Sequence, residues 1–267
     1  MEYKTPKDYR KALGFTNQDT LKKYFKATDI VCINWALIEK ENARLIDMFS
    51  KINKTMHPSL KLTEDEFNDF KTQAVEAYGT LKNFRIIEKL FNNNGRARES
   101  VYYNWMRGYM VALYFHKTIA LVFGVNDDEL EQLGEDNLQK VISDGNIDSF
   151  KREAIADLQI AKKNIHIEIQ AGFTGQNDIK RSKAIDAKVR ASHNWKTYVL
   201  HFDLFNGKLA VINITNLASL PNDKWTANTK FEDVETVVIA DNLFKYSFGD
   251  TIPDLDSLAV TVEKSNE

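Results

Sequence analysis

Asp157 and Glu168 are the residues whose types and spacing most plainly offer chemistry. They lie in the segment 154–170, where two runs of alternating apolar and polar residues flank the polar linker 161–164, the pattern of a β-hairpin. Folding about Lys162 and Lys163 pairs Asp157 with Glu168, Gln159 with His166 and Ile155 with Gln170. One face then carries Asp157, Gln159, His166, Glu168 and Gln170, and the other Ala156, Leu158, Ile160, Ile165, Ile167 and Ile169. Directly opposed residues have Cβ atoms roughly 5 Å apart, and like charges there destabilise a sheet. A divalent cation offsets that repulsion, and hard Mg²⁺ takes carboxylate oxygens at about 2.1 Å. A one-residue slip would remove the opposition and leave an ordinary solvated face.

The elements that must hold this pair follow from the flanking patterns. After Gln170 comes a turn-rich stretch at 171–175, then an expected helix over 176–192 and a strand over 197–205. The Asn206-Gly207 turn leads into a second strand, 208–215. Before the hairpin, the longest apolar-periodic helix spans 98–123 with Glu99 in its first turn, and a strand is expected around 138–142. The predicted fold is α/β: a mixed sheet flanked by helices in the order αβββαβ, with a helical N-terminal region.

That order, with one acid on the second strand and one on the third, resembles the PD-(D/E)XK nuclease superfamily, in particular type II restriction endonucleases. The resemblance covers roughly residues 95–215. Asp157 matches the first acid of the motif, with Ala156 where the family name has proline, and Glu168 matches the second. Gln170 stands at the lysine position, giving Glu-Ile-Gln, a variant found among some restriction enzymes. Glu99 matches the helical glutamate that some members add to the metal site. The resemblance implies Mg²⁺ held by Asp157, Glu168 and Glu99, with Gln170 beside the attacking water. A neutral glutamine can orient water but supplies no charge. Either metal ions lower the water's pKa unaided, or Lys180 or Lys183 reaches back from the next helix. Glu99 has a second reading as an acid that favours the macrodipole of its helix.

Composition excludes other chemistries more than it selects one. The chain has 267 residues, 36 basic and 38 acidic, so nucleic-acid binding would depend on local concentrations of charge. Lys180, Arg181, Lys183, Lys188 and Arg190 form one such concentration, read as a phosphate-contacting or solvated face. A single cysteine, Cys32, excludes an intramolecular disulfide and every multi-cysteine metal site. There is no GxSxG, P-loop, GxGxxG or HExxH motif. The absence of a signal peptide or an apolar membrane segment suggests a cytoplasmic protein with no membrane partner.

Residues 1–92 read as a helical N-terminal region and a candidate for DNA recognition, and residues 93–267 as a nuclease core with C-terminal strands. Pro6 and Gly14 bracket one short helix, and Thr16 with Asp19 opens another. The outline is that of a helix-turn-helix presenting Asn17, Gln18 and Lys22, or of a plain helical hairpin. Further helices are expected at 31–53 and 63–91, a loop at 225–231, a strand at 236–248 and a fraying tail beyond 257. As implied by the resemblance, the chain would be a Mg²⁺-dependent, sequence-specific endonuclease acting on double-stranded DNA. It would be a homodimer, with a DNA methyltransferase as genetic partner. A different PD-(D/E)XK nuclease in repair or phage defence, and a non-catalytic helix-turn-helix DNA-binding protein, stay open.

Overall fold

The computed structural model describes residues 33–85, 98–133, 156–172, 177–228, 234–250 and 254–261. They form two compact units, one from residues 33–115 and the other from residues 116–133 and 156–261. Asn17, Gln18 and Lys22, and the strand expected near 138–142, lie outside the described residues.

The first unit is helical, with α1 (Trp35–Thr55), α2 (Glu64–Phe84) and α3 (Arg98–Tyr114). Phe49, Phe70, Tyr114 and Phe115 form its aromatic centre, with ring centroids 4.8–6.3 Å apart among the contacting pairs. Thr63 and Glu66 close a reciprocal capping box at the start of α2. The turn before it is held by Asn53, whose amide pairs with both backbone groups of Leu62.

The second unit is α/β. Its described elements include α4 (His116–Val122), β1 (Glu131–Gln132), β2 (Leu158–Ile160), β3 (Ile165–Gly172) and β4 (Asn177–Lys180). They continue with α5 (Arg181–Ala191), β5 (Lys196–Asp203), β6 (Lys208–Asn213), β7 (Thr226–Asn228) and β8 (Val234–Ile239). The last are β9 (Tyr246–Ser247), α6 (Leu255–Leu258) and β10 (Ala259–Thr261). The main sheet runs β1-β2-β3-β5-β6-β10, with β9 on β6. β3 pairs with β5 in parallel and β6 with β10 in parallel, while the other ladders are antiparallel. Among the described residues a helix, three strands, a helix and a strand follow in the expected order, but the first strand is β1 at 131–132 rather than the one expected near 138–142, and β4 is inserted before α5. β4, β8 and β7 make a separate antiparallel sheet.

A parallel neighbour requires a crossover connection, and here β4 and α5 supply it between β3 and β5. β5 is buried at every position but its first, the mark of a strand covered on both faces. Ala184 and Ala187 of α5 pack with Val199 of β5 on one face. On the other, Phe123 meets Tyr198 at 5.3 Å between centroids. Gly207 closes the β5–β6 turn at φ +61°, where an added Cβ would meet the Phe248 ring at 3.6 Å.

Several expected elements differ. The helix expected over 98–123 divides at Phe115 into α3 and α4. The helix expected from residue 176 begins at Arg181, because 177–180 pairs with β8 as a strand. Residues 226–228 form β7 within the expected loop, the expected strand 236–248 is two strands, and the tail contributes β10 to the main sheet. The changes at 177–180, 226–228 and the tail come from pairing with strands distant in sequence or with another part of the sheet, which local periodicity does not encode.

Candidate active site

The hairpin has the register that the alternation predicts: Leu158 opposes Ile167, Gln159 opposes His166 and Ile160 opposes Ile165. Ala161–Lys163 makes one turn of 3₁₀ helix, and Asn164 closes it in the left-handed region at φ 52°. Continuing that register by one residue sets Asp157 opposite Glu168. Asp157 precedes β2, and its Oδ2 accepts from the Ile169 backbone N–H at 2.6 Å. Its own carbonyl accepts from Leu133 at 3.1 Å. The Asp157 carboxylate is thus tied to β3 beside Glu168.

Glu168 is 4% exposed. A carboxylate so placed needs charged partners, and α5 supplies them. Arg190 Nη1 donates to Oε1 at 2.9 Å, and Lys183 Nζ donates to Oε2. The spacing explains why both can reach. Positions 183, 187 and 190 follow one side of a helix, Ala187 is buried against the sheet, and the two long cations flank it. Burial by itself would raise the Glu168 pKa, but Lys183 and Arg190 overcome that and hold it below the ordinary glutamate value. Asp157 is shifted oppositely. Although the residue reaches solvent at the sheet end, desolvation of its carboxyl raises its pKa to about 6, with Glu168 adding to the rise and Lys183 and Arg190 opposing it.

Gln170 lies two residues beyond Glu168 on the same face of β3, half-buried and in register with His201 of β5. His166, two residues before Glu168, stacks on Trp195 at 4.1 Å with an interplanar angle of 5°. Burial, aided by Arg190, lowers the His166 pKa against the pull of Glu168. Of the residues singled out from sequence, the fold gathers Asp157, Glu168, Gln170 and Lys183 at this part of the sheet unit.

The others are placed differently. Glu99 belongs to the helical unit, fully buried in the first turn of α3. Its Oε1 accepts from the Asn34 backbone N–H at 2.8 Å, and its Oε2 has no hydrogen-bond partner among the described residues. Lys180 is in β4, with Thr236 as its register partner, so it is not one helical turn before Lys183. Arg181 donates to Glu235 at 2.8 Å and to Asn222 at 2.6 Å, with its guanidinium 5.5 Å from the Trp225 ring centre. Those contacts tie the start of α5 to the second sheet. Arg190 was read from sequence only as part of a basic helix face. Its position seven residues after Lys183 was the available signal that both could address one carboxylate.

The donor set suits a hard divalent cation. Asp157 and Glu168 offer carboxylate oxygens from adjacent strands, and Glu168 already holds a cation, Lys183, on one oxygen. Among the described residues, no group of three or more His, Cys, Asp or Glu is arranged to hold a metal ion. Any ion here would therefore rest on these two acids and on water, as Mg²⁺ commonly does. Among the described residues no helix is long and apolar enough to cross a membrane. No family model, curated protein or solved structure matches the chain.

Proposed function

We propose that this protein is a Mg²⁺-dependent endonuclease of the PD-(D/E)XK class that cuts double-stranded DNA. As a type II restriction enzyme it would be cytoplasmic and homodimeric, since two-fold protein symmetry suits a symmetric duplex site. The observation that carries the reading is the convergence of Asp157 and Glu168 with a lysine, Lys183, at the Glu168 carboxylate. That lysine comes from α5 and so answers the glutamine at the motif's lysine position.

In this scheme Asp157 and Glu168 would hold the ion, and Arg190 fixes Glu168 so that its second oxygen faces Lys183. When bound, Mg²⁺ would lower the pKa of a water and neutralise charge on the scissile phosphate. Gln170 orients the attacking water from the same face. The water oxygen bonds to phosphorus as the P–O bond to the leaving oxygen breaks; the water's proton passes to solvent, and the leaving oxygen takes up a proton from solvent to depart as a hydroxyl. Lys183 lends positive charge to the phosphate oxygens as negative charge builds there.

A non-catalytic reading has one observation in its favour: both Glu168 oxygens are already bonded to cations within the fold, which suffices for a purely structural acid. Incubating plasmid DNA with the full chain and Mg²⁺ separates the two. Discrete fragments support the endonuclease, whereas intact plasmid under all divalent ions leaves a binding or structural role.

A further inference from the structure

We infer that Lys183 is a resident counter-ion that a divalent cation must displace from Glu168, so that one ammonium neutralises the metal-free site and is freed toward the phosphate when the ion enters. The inference rests on the metal-dependent reading above and assigns Lys183 a second role within it.

The argument starts from charge. Asp157 and Glu168 bring two negative charges to one face, and Lys183 and Arg190 bring two positive ones, so the metal-free cluster of four is balanced when both acids are ionised. A divalent ion added without any departure would leave two surplus positive charges around a nearly buried carboxylate, which is costly at low effective dielectric. One cation must withdraw, and the structure distinguishes which. The Arg190 side chain is 12% exposed and the Lys183 side chain 28% exposed. Arg190 also carries a planar guanidinium, a weakly hydrated group suited to a buried pair, while an ammonium on a flexible stem is strongly hydrated and regains more by returning to water.

The backbone does not need to move. Ala184 and Ala187 are fully buried in the core beneath α5, which anchors the helix. The first-turn position of Lys183 lets its stem swing by rotamer change alone. Oε1 stays bonded to Arg190, so Glu168 keeps its orientation while Oε2 exchanges an ammonium for the metal ion. Cleavage assays alone would not separate this exchange from a lysine that simply stays in place.

The test uses the full chain without DNA. Mn²⁺ binding is followed by the electron paramagnetic resonance of the free ion, in wild type and Lys183→Met. Loss of the competing ammonium should tighten Mn²⁺ binding by about tenfold, the surface exposure of Lys183 limiting the gain. A second measurement needs no variant: labelling of Lys183 by an amine-reactive reagent, read by mass spectrometry, should rise when Mn²⁺ is added to wild type. Wild type that binds Mn²⁺ while Lys183→Met binds equally or more weakly, or while Lys183 labelling stays unchanged, would overturn the exchange and leave the nuclease reading intact. Wild type that binds no Mn²⁺ would overturn both.

Discussion

Replacing Glu168 by Gln should destabilise the protein as well as stop cleavage, because Lys183 and Arg190 both pair with this one carboxylate. Removing one member of a buried ion pair typically costs about 3–5 kcal/mol, since a charge is left behind without compensation. Here the cost is smaller. Lys183, with 28% of its side chain exposed, can turn to water, and Arg190, at 12%, carries most of the penalty. About 2–3 kcal/mol remains, or about 5–10 °C in Tm for a chain of this size. Urea and thermal denaturation at pH 7.5 in EDTA would measure it. The deficit should narrow as pH falls: the Glu168 pKa is depressed in the fold, so its contribution is present above the unfolded-state value and is lost as pH drops through the folded-state value. Glu168→Gln with Arg190→Met should recover part of the loss, because the double change also removes the guanidinium that had paired with Glu168. A single variant as stable as wild type would refute the claim that this carboxylate is held by buried ion pairing.

Two further predictions concern its neighbours. Desolvation of the Asp157 carboxyl raises its pKa to about 6 against the pull of Lys183 and Arg190, with Glu168 adding to the rise, so the fold disfavours its ionised form, and stability should fall as pH rises from the ordinary aspartate range through about 6. Asp157→Asn in EDTA should match wild type near pH 3 and exceed it at pH 8, since the amide oxygen can still accept from Ile169; a variant less stable at both would show that the ionised form supports the fold. Gln170→Ala should slow single-turnover cleavage by about a hundredfold with unchanged DNA affinity, through misplacement of the water. A wild-type rate would remove Gln170 from the site.

The hairpin was legible because the alternation of 156–160 and 165–169 has a period of two, so a one-residue slip would split the apolar face, and the short polar turn at 161–164 selects among the registers that keep it whole. The return of a lysine from the next helix was legible too, with Lys180 and Lys183 as alternatives. What could not be read was which one. Asn177–Lys180 contains one apolar residue in four, and its strand identity comes from pairing with Val234–Ile239, more than fifty residues away. That pairing takes Lys180 off the helix and leaves Lys183 in its first turn. The burial of Glu168 was hidden for a related reason: an alternating strand looks half-solvated, and only the packing of Ala184 and Ala187 on the sheet covers its polar face. Arg190 follows from that same packing. Its type was visible, but its direction was not. Glu99 was visible as a first-turn acid, and its bond to Asn34 across 65 residues of sequence was not.

The most direct test of the central claim is digestion of plasmid DNA by the purified full chain, with wild type and Asp157→Asn compared in Mg²⁺ and in EDTA. The account predicts discrete, reproducible fragments from wild type in Mg²⁺ alone and none from the variant, even though the variant is folded. Intact plasmid with every divalent ion tried, or undiminished cutting by folded Asp157→Asn, would contradict it.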